Sequence, residues 1–421
     1  MKKILALLIL ALSCTLLFSS CAIIEDVIGE MKEEQEFKNE YGLEIVTDKV
    51  HYIDKNGRPR YRVSRYISGV GSCTDKKIVV PHGLYAIGDK AFKDCDTVEE
   101  IVLPSCLEYI GLEAFKGCSS LKSIKRVDCE CGYYNLYMIM ESAFEDCVSL
   151  EEADLGDLTK GREYYLSDST FKNCVSLKKI TIPRGFVGID SRAFEGCTSL
   201  EEVFFPFGLV EIAPRAFEGC TALKALHLSS GLKKLGGFAG CTALESVSIP
   251  EGTEVIIGGA FEGCSSLKSV NLPTTLDEIG TQAFYGCASL ESVAMPDTLS
   301  YVGDNAFAGC TSLTEVTTFP GRKTEGDRSD RLLGNSAFNG CTSLTQVDLP
   351  TSFTSIGYSA FYNCASLKSL VIGSGVTGAG DSILDGCDSL ADIYYCGSEE
   401  TWSAMNINLP EGVTLHFNYN K

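Results

Sequence analysis

A cysteine that returns at a nearly constant interval constrains this chain more than any other feature. It stands at positions 95, 118, 147, 174, 197, 220, 241, 264, 287, 310, 341, 364 and 387. The commonest interval is 23 residues; one is 21, and three widen to 29, 27 and 31. Phe lies three residues before the Cys in every copy except the last, which has Leu384. An aliphatic residue lies three after it, Leu in all copies but Val98. Self-similarity of this period marks a solenoid, in which each unit presents an apolar edge that it buries only by stacking on its neighbours. Most of the 421 residues therefore belong to one array rather than to the two or three domains that length alone suggests.

One unit reads Ala260-Phe261-Glu262-Gly263-Cys264-Ser265-Ser266-Leu267-Lys268-Ser269-Val270-Asn271-Leu272-Pro273, and the next opens at Ala283-Phe284. The Leu-x-x-Ile-x-Leu core of the unit is the strand signature of leucine-rich repeats. With Ile-Gly before the following Ala-Phe, the pattern resembles the BspA-type leucine-rich repeat of bacterial surface proteins, from about residue 66 to 417. The resemblance implies a solenoid of about 13 repeats of basic period 23. A parallel β-sheet would line its concave face, with short strand, turn and 3-10 segments on the convex side. Strands stacked about 4.8 Å apart would make a rod of about 60 Å.

Several residue types take a place in this scheme. Gly88, Gly111, Gly280, Gly303 and Gly357 each follow an aliphatic residue at a bend, where permissive dihedrals are expected. Pro104, Pro183, Pro206, Pro250, Pro273, Pro296 and Pro350 close the strand, since a ladder tolerates Pro only at its margins. The repeated Cys should form an inward column of reduced thiols, because in-register stacking holds neighbouring Cβ atoms too far apart for a disulfide. Cys73, Cys106, Cys129, Cys131 and Cys396 lie off that column, and Cys129-x-Cys131 lacks a nearby second pair to complete a metal site. Four after the repeated Cys, the sign alternates through Glu99, Lys122, Glu151, Lys178, Glu201, Lys224, Glu245, Lys268 and Glu291. That is a ladder of paired charges which sets stacking register more than strength.

The ends read differently. Lys2 and Lys3 precede an apolar run from Ile4 to Phe18, the pattern of a secretory signal over residues 1–20. Phe18-Ser19-Ser20-Cys21 resembles the bacterial lipobox, with Phe where Leu is usual, and this implies lipidation of Cys21 and a membrane anchor. Residues 21–65 would hold the attachment site, a tether with Ile24, Val27, Ile28 and Met31 at helical spacing, and a hairpin signalled by Asn56-Gly57. The solenoid would occupy 66–391 and a cap 392–421, with Trp402 covering the last core layer.

Function is less legible. A net charge of −20 argues against nucleic acid as a partner. His51, His82, His227 and His416 form no metal-binding pair, and the chain lacks a phosphate-binding glycine loop or a nucleophile elbow. We therefore expect no enzyme, no cofactor and no metal. Three insertions break the period. Arg126 to Met140 holds Tyr133, Tyr134 and Tyr137, and Gly156 to Thr170 holds Tyr164 and Tyr165. These five tyrosines either form a binding patch on adjoining loops or pack on one another to hold the loops. The third, near Thr317 to Asn335, carries Arg322, Lys323, Arg328 and Arg331. The expectation is an exported, lipid-anchored binding protein of the cell surface, an adhesin for protein or glycan ligands. The alternative is a non-adhesive scaffold lipoprotein of the envelope.

Overall fold

The computed structural model describes residues 42–53, 59–71, 73–128, 136, 138–156, 164–297, 299–321 and 331–420. The chain winds as a parallel-strand solenoid, and neighbouring coils are joined along three edges. The longer strands begin about five residues after each Cys and pair in register, as in Ile180 with Val203 and Val247 with Val270. A second ladder of mostly two-residue strands precedes the Ala-Phe segment and pairs Ile256 with Ile279 and Ile279 with Val302. The third edge is the Ala-Phe turn, where the Phe N–H donates to the Ala carbonyl of the next coil at 2.7 Å, as in Phe92 to Ala114 and Phe261 to Ala283. The segment opposite the longer strands is thus short strand and turn, and no 3-10 helix occurs among the described residues.

The core is built of columns. From Phe92 to Phe361 the rings stack with centroids 4.8 to 5.8 Å apart and planes within 13° of parallel. Such pairs contribute about 0.5–1.5 kcal/mol each beyond the area they bury. Beside them run the thiols, all free and all buried from Cys118 to Cys387, while Cys95 at the column's start is partly exposed. Each is more than a small apolar filler. Cys264 Sγ donates to the Phe238 carbonyl of the preceding coil at 3.1 Å, and the same contact recurs from Cys118 to Phe92 through Cys387 to Phe361. The Phe carbonyl already accepts the N–H of the Cys three residues on, as Phe238 from Cys241 at 3.2 Å, so the weak S–H donor of the next coil takes the second lone pair of a buried acceptor.

The turns correct one expectation. Gly280 and Gly303 do not have positive φ. An added Cβ would instead sit 2.4 Å from the Gly258 nitrogen and 2.3 Å from the Thr281 nitrogen of the preceding coil, so these glycines answer to close approach of two backbones. Gly88, Gly111 and Gly357 share the reason, with backbone atoms at 2.8, 2.6 and 2.5 Å. Left-handed backbone falls at two other positions. One is five residues before most of the repeated cysteines, as at Lys90, Arg192 and Asn305, with φ of 58°, 59° and 56°. The other is the residue just before each of them, which is always Gly, Asn or Asp, the types that tolerate that region best.

At the start, Glu44–Ile53 pairs antiparallel with Pro59–Gly69, and Tyr66 of the second strand continues parallel onto Ala86. The hairpin is therefore the first layer of the shorter ladder, and Leu43, Ile45 and Ile67 seal the core beneath it. Asn56 and Gly57, like the segment from Ile24 to Met31, lie outside the described residues. At the other end the helix Glu399–Ala404 starts on Ser398, whose Oγ accepts from the Thr401 N–H at 3.3 Å. It seats Trp402 against Tyr395, ring centroids 5.4 Å apart, over the last core layer. No helix among the described residues is long and apolar enough to cross a membrane.

Candidate ligand-binding faces

With the inward positions consumed by the core, the outward positions of the two ladders are what a ligand meets. On the longer strands burial alternates exposed, buried, exposed, as in Ser269, Val270 and Asn271. Along this face the side chains change from charged near the first coils to small and hydroxylic in the middle, through Ser246, Ser248, Ser269, Asn271 and Ser292. His227 is exposed on this face and bridges to Phe204 of the preceding coil. The charge ladder at its margin is formed in part, as separate pairs, and Glu201, Lys224 and Glu291 join none of them. Glu99 lies 2.6 Å from both Lys122 and Lys76, and these two ammonium groups, Lys122 first, hold its carboxyl down at about 2. Lys178–Glu151 and Lys268–Glu245 pair at 3.0 and 3.1 Å.

Both ladders are interrupted in the same part of the rod. The longer-strand ladder stops at Glu152–Ala153 and resumes with Lys179–Thr181; the shorter stops at Met138–Ile139 and resumes with Tyr164–Leu166. The cause is legible in the residues. Ala153 stands where the other strands place Ile, Val or Leu, so this strand has the least apolar side chain to hold it against the core. Gly156 follows with φ of 65°, its N–H donating to Asp154 Oδ1 at 2.9 Å, and the chain turns away. Arg126 holds the root of this turn, donating to the Leu155 carbonyl at 2.7 Å and to the Ser105 carbonyl at 2.8 Å. The result is an open notch of about 610 Å³ whose rim carries Lys125, Glu152, Asp154, Lys179, Thr181 and Phe204.

The predicted tyrosines divide. Tyr133, Tyr134 and Tyr137 lie outside the described residues, as do Cys21, Cys129, Cys131, Arg322, Lys323 and Arg328. Tyr164 and Tyr165 are placed in a strand of the shorter ladder rather than on a loop. Tyr165 pairs with Gly188, and Leu166, fully buried, fills the inward aliphatic place. The insertion was drawn too wide because Leu166-Ser167 stands here in place of the Ile-Gly signature. The Tyr165 ring lies against Gly188, where a Cβ would come within 2.1 Å of it, and is 46% exposed. Tyr66, Ala86, Tyr109 and Met138 occupy the same outward position on successive earlier coils, which makes an apolar, aromatic row at one end of the rod. Tyr66, Tyr109 and Met138 were missed. The residue just before each Ile of the shorter ladder would have identified them.

Arg331 remains of the basic insertion, and its carbonyl accepts from Thr354 N–H at 2.8 Å. His416 Nε2 lies 2.8 Å from Asp392 Oδ1, and its ring stacks on Tyr394 at 4.5 Å. Among the described residues no group of three or more His, Cys, Asp or Glu side chains could hold a metal ion.

Comparison with known proteins agrees with this geometry. The family model of the BspA type leucine rich repeat region (6 copies) matches residues 71–165, 164–256, 236–329 and 327–409. Among solved structures, a leucine-rich repeat protein from Bacteroides ovatus is 22% identical with a TM-score of 0.50, covering 88% of this chain and 98% of that one. A leucine-rich cell surface protein from Faecalibacterium prausnitzii is 24% identical with a TM-score of 0.45, covering 87% and 98% respectively. No curated protein matches at a significant level. With the family match running through nearly the whole solenoid, the chain belongs to the BspA-type leucine-rich-repeat family.

Proposed function

We propose that this protein is exported by residues 1–20, lipidated at Cys21 and displayed at the cell surface, where it binds protein or glycan ligands as an adhesin. The observation that carries the reading is the row formed by Tyr66, Tyr109, Met138 and Tyr165. Partly exposed and exposed aromatic and thioether side chains on four of five successive coils are costly for a rod to leave uncovered, and they suit a contact surface. Catalysis has no comparable support, because among the described residues no set of groups on either face combines a nucleophile, a base and a pocket.

The test is a binding screen of residues 22–421 on arrayed matrix proteins and glycans at physiological salt, beside a variant with Tyr66, Tyr109 and Tyr165 changed to Ser. A ligand captured by the natural sequence and lost in the variant is the expected result. Absence of any captured ligand, together with concentration-dependent assembly by light scattering, would overturn the adhesin in favour of an envelope scaffold. For the anchor, Cys21→Ala should move the protein from the membrane to the soluble fraction; an unchanged distribution refutes lipidation there.

A further inference from the structure

We infer that the protein pairs with a second copy of itself through the outer edge of Glu44–Ile53, strand against strand about a two-fold axis. The inference goes beyond the surface-binding reading and does not depend on it. Its first support is the length of the hairpin. Glu44–Ile53 and Pro59–Gly69 run for ten and eleven residues, whereas the other strands of the shorter ladder have two to four. The hairpin joins the first coil only through Tyr66 with Ala86 and Ile67 with Ile87. Most of it is therefore a two-stranded ribbon with no third strand along it among the described residues. Such a ribbon is marginal in water, and further strands are what make it stable. Glu44–Ile53 stands at the end of its sheet, so its outer backbone edge meets no strand among the described residues. It contains no Pro or Gly, and six of its ten residues are β-branched or aromatic, which leaves that edge fit to pair.

The second support is the order of the charges, which makes the strand complementary to itself. Laid antiparallel on a second copy with all ten residues paired, Glu44 stands opposite Ile53, Thr47 opposite Val50, and Asp48 opposite the second copy's Lys49. The two-fold axis repeats the last pair, so two pairs of opposite charge sit at its centre. A shift by one residue sets Asp48 against Asp48 or Lys49 against Lys49, and like charges directly opposite are destabilising. Parallel pairing in register would do both at once. The charges that elsewhere guard a sheet edge thus select one partner and one register here. Because each copy uses up its own edge, the assembly closes at two. It also carries two aromatic rows, each beginning at Tyr66 on the strand behind the paired edge, so a surface with many copies of a ligand would hold the pair more tightly than either copy.

The test is sedimentation velocity of residues 22–421 over a range of concentrations. The natural sequence should approach twice the monomer mass and go no further. Asp48→Lys and Lys49→Asp each set like charges opposite one another at both central pairs, and each should weaken self-association by about tenfold or more. The double variant, Asp48→Lys with Lys49→Asp, restores opposite charges and should dimerise again. Mixing the two single variants should do the same, because their strands then complement each other. That recovery separates a paired edge from a hairpin that the substitutions merely unfold. Single variants that associate as well as the parent, or a double variant that stays monomeric, would overturn the pairing. So would a natural sequence that is monomeric throughout, or one that grows past two copies. Hydrogen exchange gives the location: amides of residues 44–53 should gain protection as concentration rises. Protection that ignores concentration would assign the edge to another part of the same chain and sink the inference. Ligand capture by the monomeric variants is scored separately, so either reading can fail without the other.

Discussion

Gly303 offers the sharpest test of how the coils are held together. The bend contains no positive φ at this residue, so Gly303→Ala adds no conformational strain of its own. It adds a methyl group 2.3 Å from the Thr281 nitrogen, 2.6 Å from the Gly280 carbonyl carbon and 2.7 Å from Thr281 Cα. None of these is a side chain that can swing aside. Relief needs a separation of about 1 Å between two backbones packed at core density. That movement stretches the hydrogen bond from the Gly303 N–H to the Ile279 carbonyl, now 2.7 Å, and its neighbour between the Ala-Phe turns. Overpacking of this kind costs about 1–3 kcal/mol, and weakening one or two ladder bonds adds about 1 kcal/mol each. The expected destabilisation is therefore about 2–5 kcal/mol. Gly263→Asn is the paired control. Its φ is 68° with nothing within 4 Å of an added Cβ, and Asn173 occupies the same repeat position at 58°. It should cost less than about 1 kcal/mol. Urea unfolding of both variants by circular dichroism, with hydrogen exchange to localise the loss, measures the difference. Because a long repeat array need not unfold in one step, exchange in the coils around Gly303 is the deciding readout. A Gly303→Ala variant as stable as the parent, or a Gly263→Asn variant that is worse, would refute the close-approach argument.

Two further expectations follow from the columns and the charge ladder. Burial pushes the thiols of Cys197, Cys264 and Cys341 up to about 12, so at pH 8 a soluble thiol reagent should label them only after denaturation, while partly exposed Cys73, Cys95 and Cys396 react first. Mass mapping of labelled peptides decides it; fast labelling of Cys264 in the folded protein would sink the sealed column. Glu99, held at about 2 by Lys122 and Lys76, adds stability that is fully present above its ordinary value of 4.5 and is lost as pH falls towards 2. Glu99→Gln should thus lower the melting temperature slightly at pH 7 and clearly less near pH 2, a pattern that molar salt should flatten because these groups are exposed. An equal effect at both pH values would refute the pairing.

The repeat carried most of the fold on its face. Phe, Cys and Leu at constant offsets are one-dimensional information, and a solenoid is nearly a one-dimensional object, so reading the period came close to reading the structure. The inward thiol column and the alternation on the longer strands follow from local pattern, because each concerns a residue and the same residue one coil away. The places where the reading fell short all involve a contact that period does not encode. Gly280 and Gly303 looked like dihedral specialists, and only the stacked coil showed that the constraint is a neighbouring backbone. Tyr165 looked like a loop residue, because the signature that ends the shorter strand is altered to Leu166-Ser167.

The candidate faces divide in the same way. That coils would stack and which side chains would be buried were both determined by the sequence alone, since each depends on residue type and spacing. What only the tertiary structure decided is which outward residues become neighbours. Tyr66, Tyr109 and Met138 are scattered over about seventy residues and come onto one edge because the shorter ladder carries them, with Ala86 between the first two, on successive coils; Tyr165 lies in the strand that opens the next stretch of that ladder. Ala153 is an unremarked small residue in the chain; in the stack it is where a strand loses its hold on the core and the sheet opens. The repeat makes every coil alike, and the physical reason the site escapes it is that a binding surface lies where the coils differ.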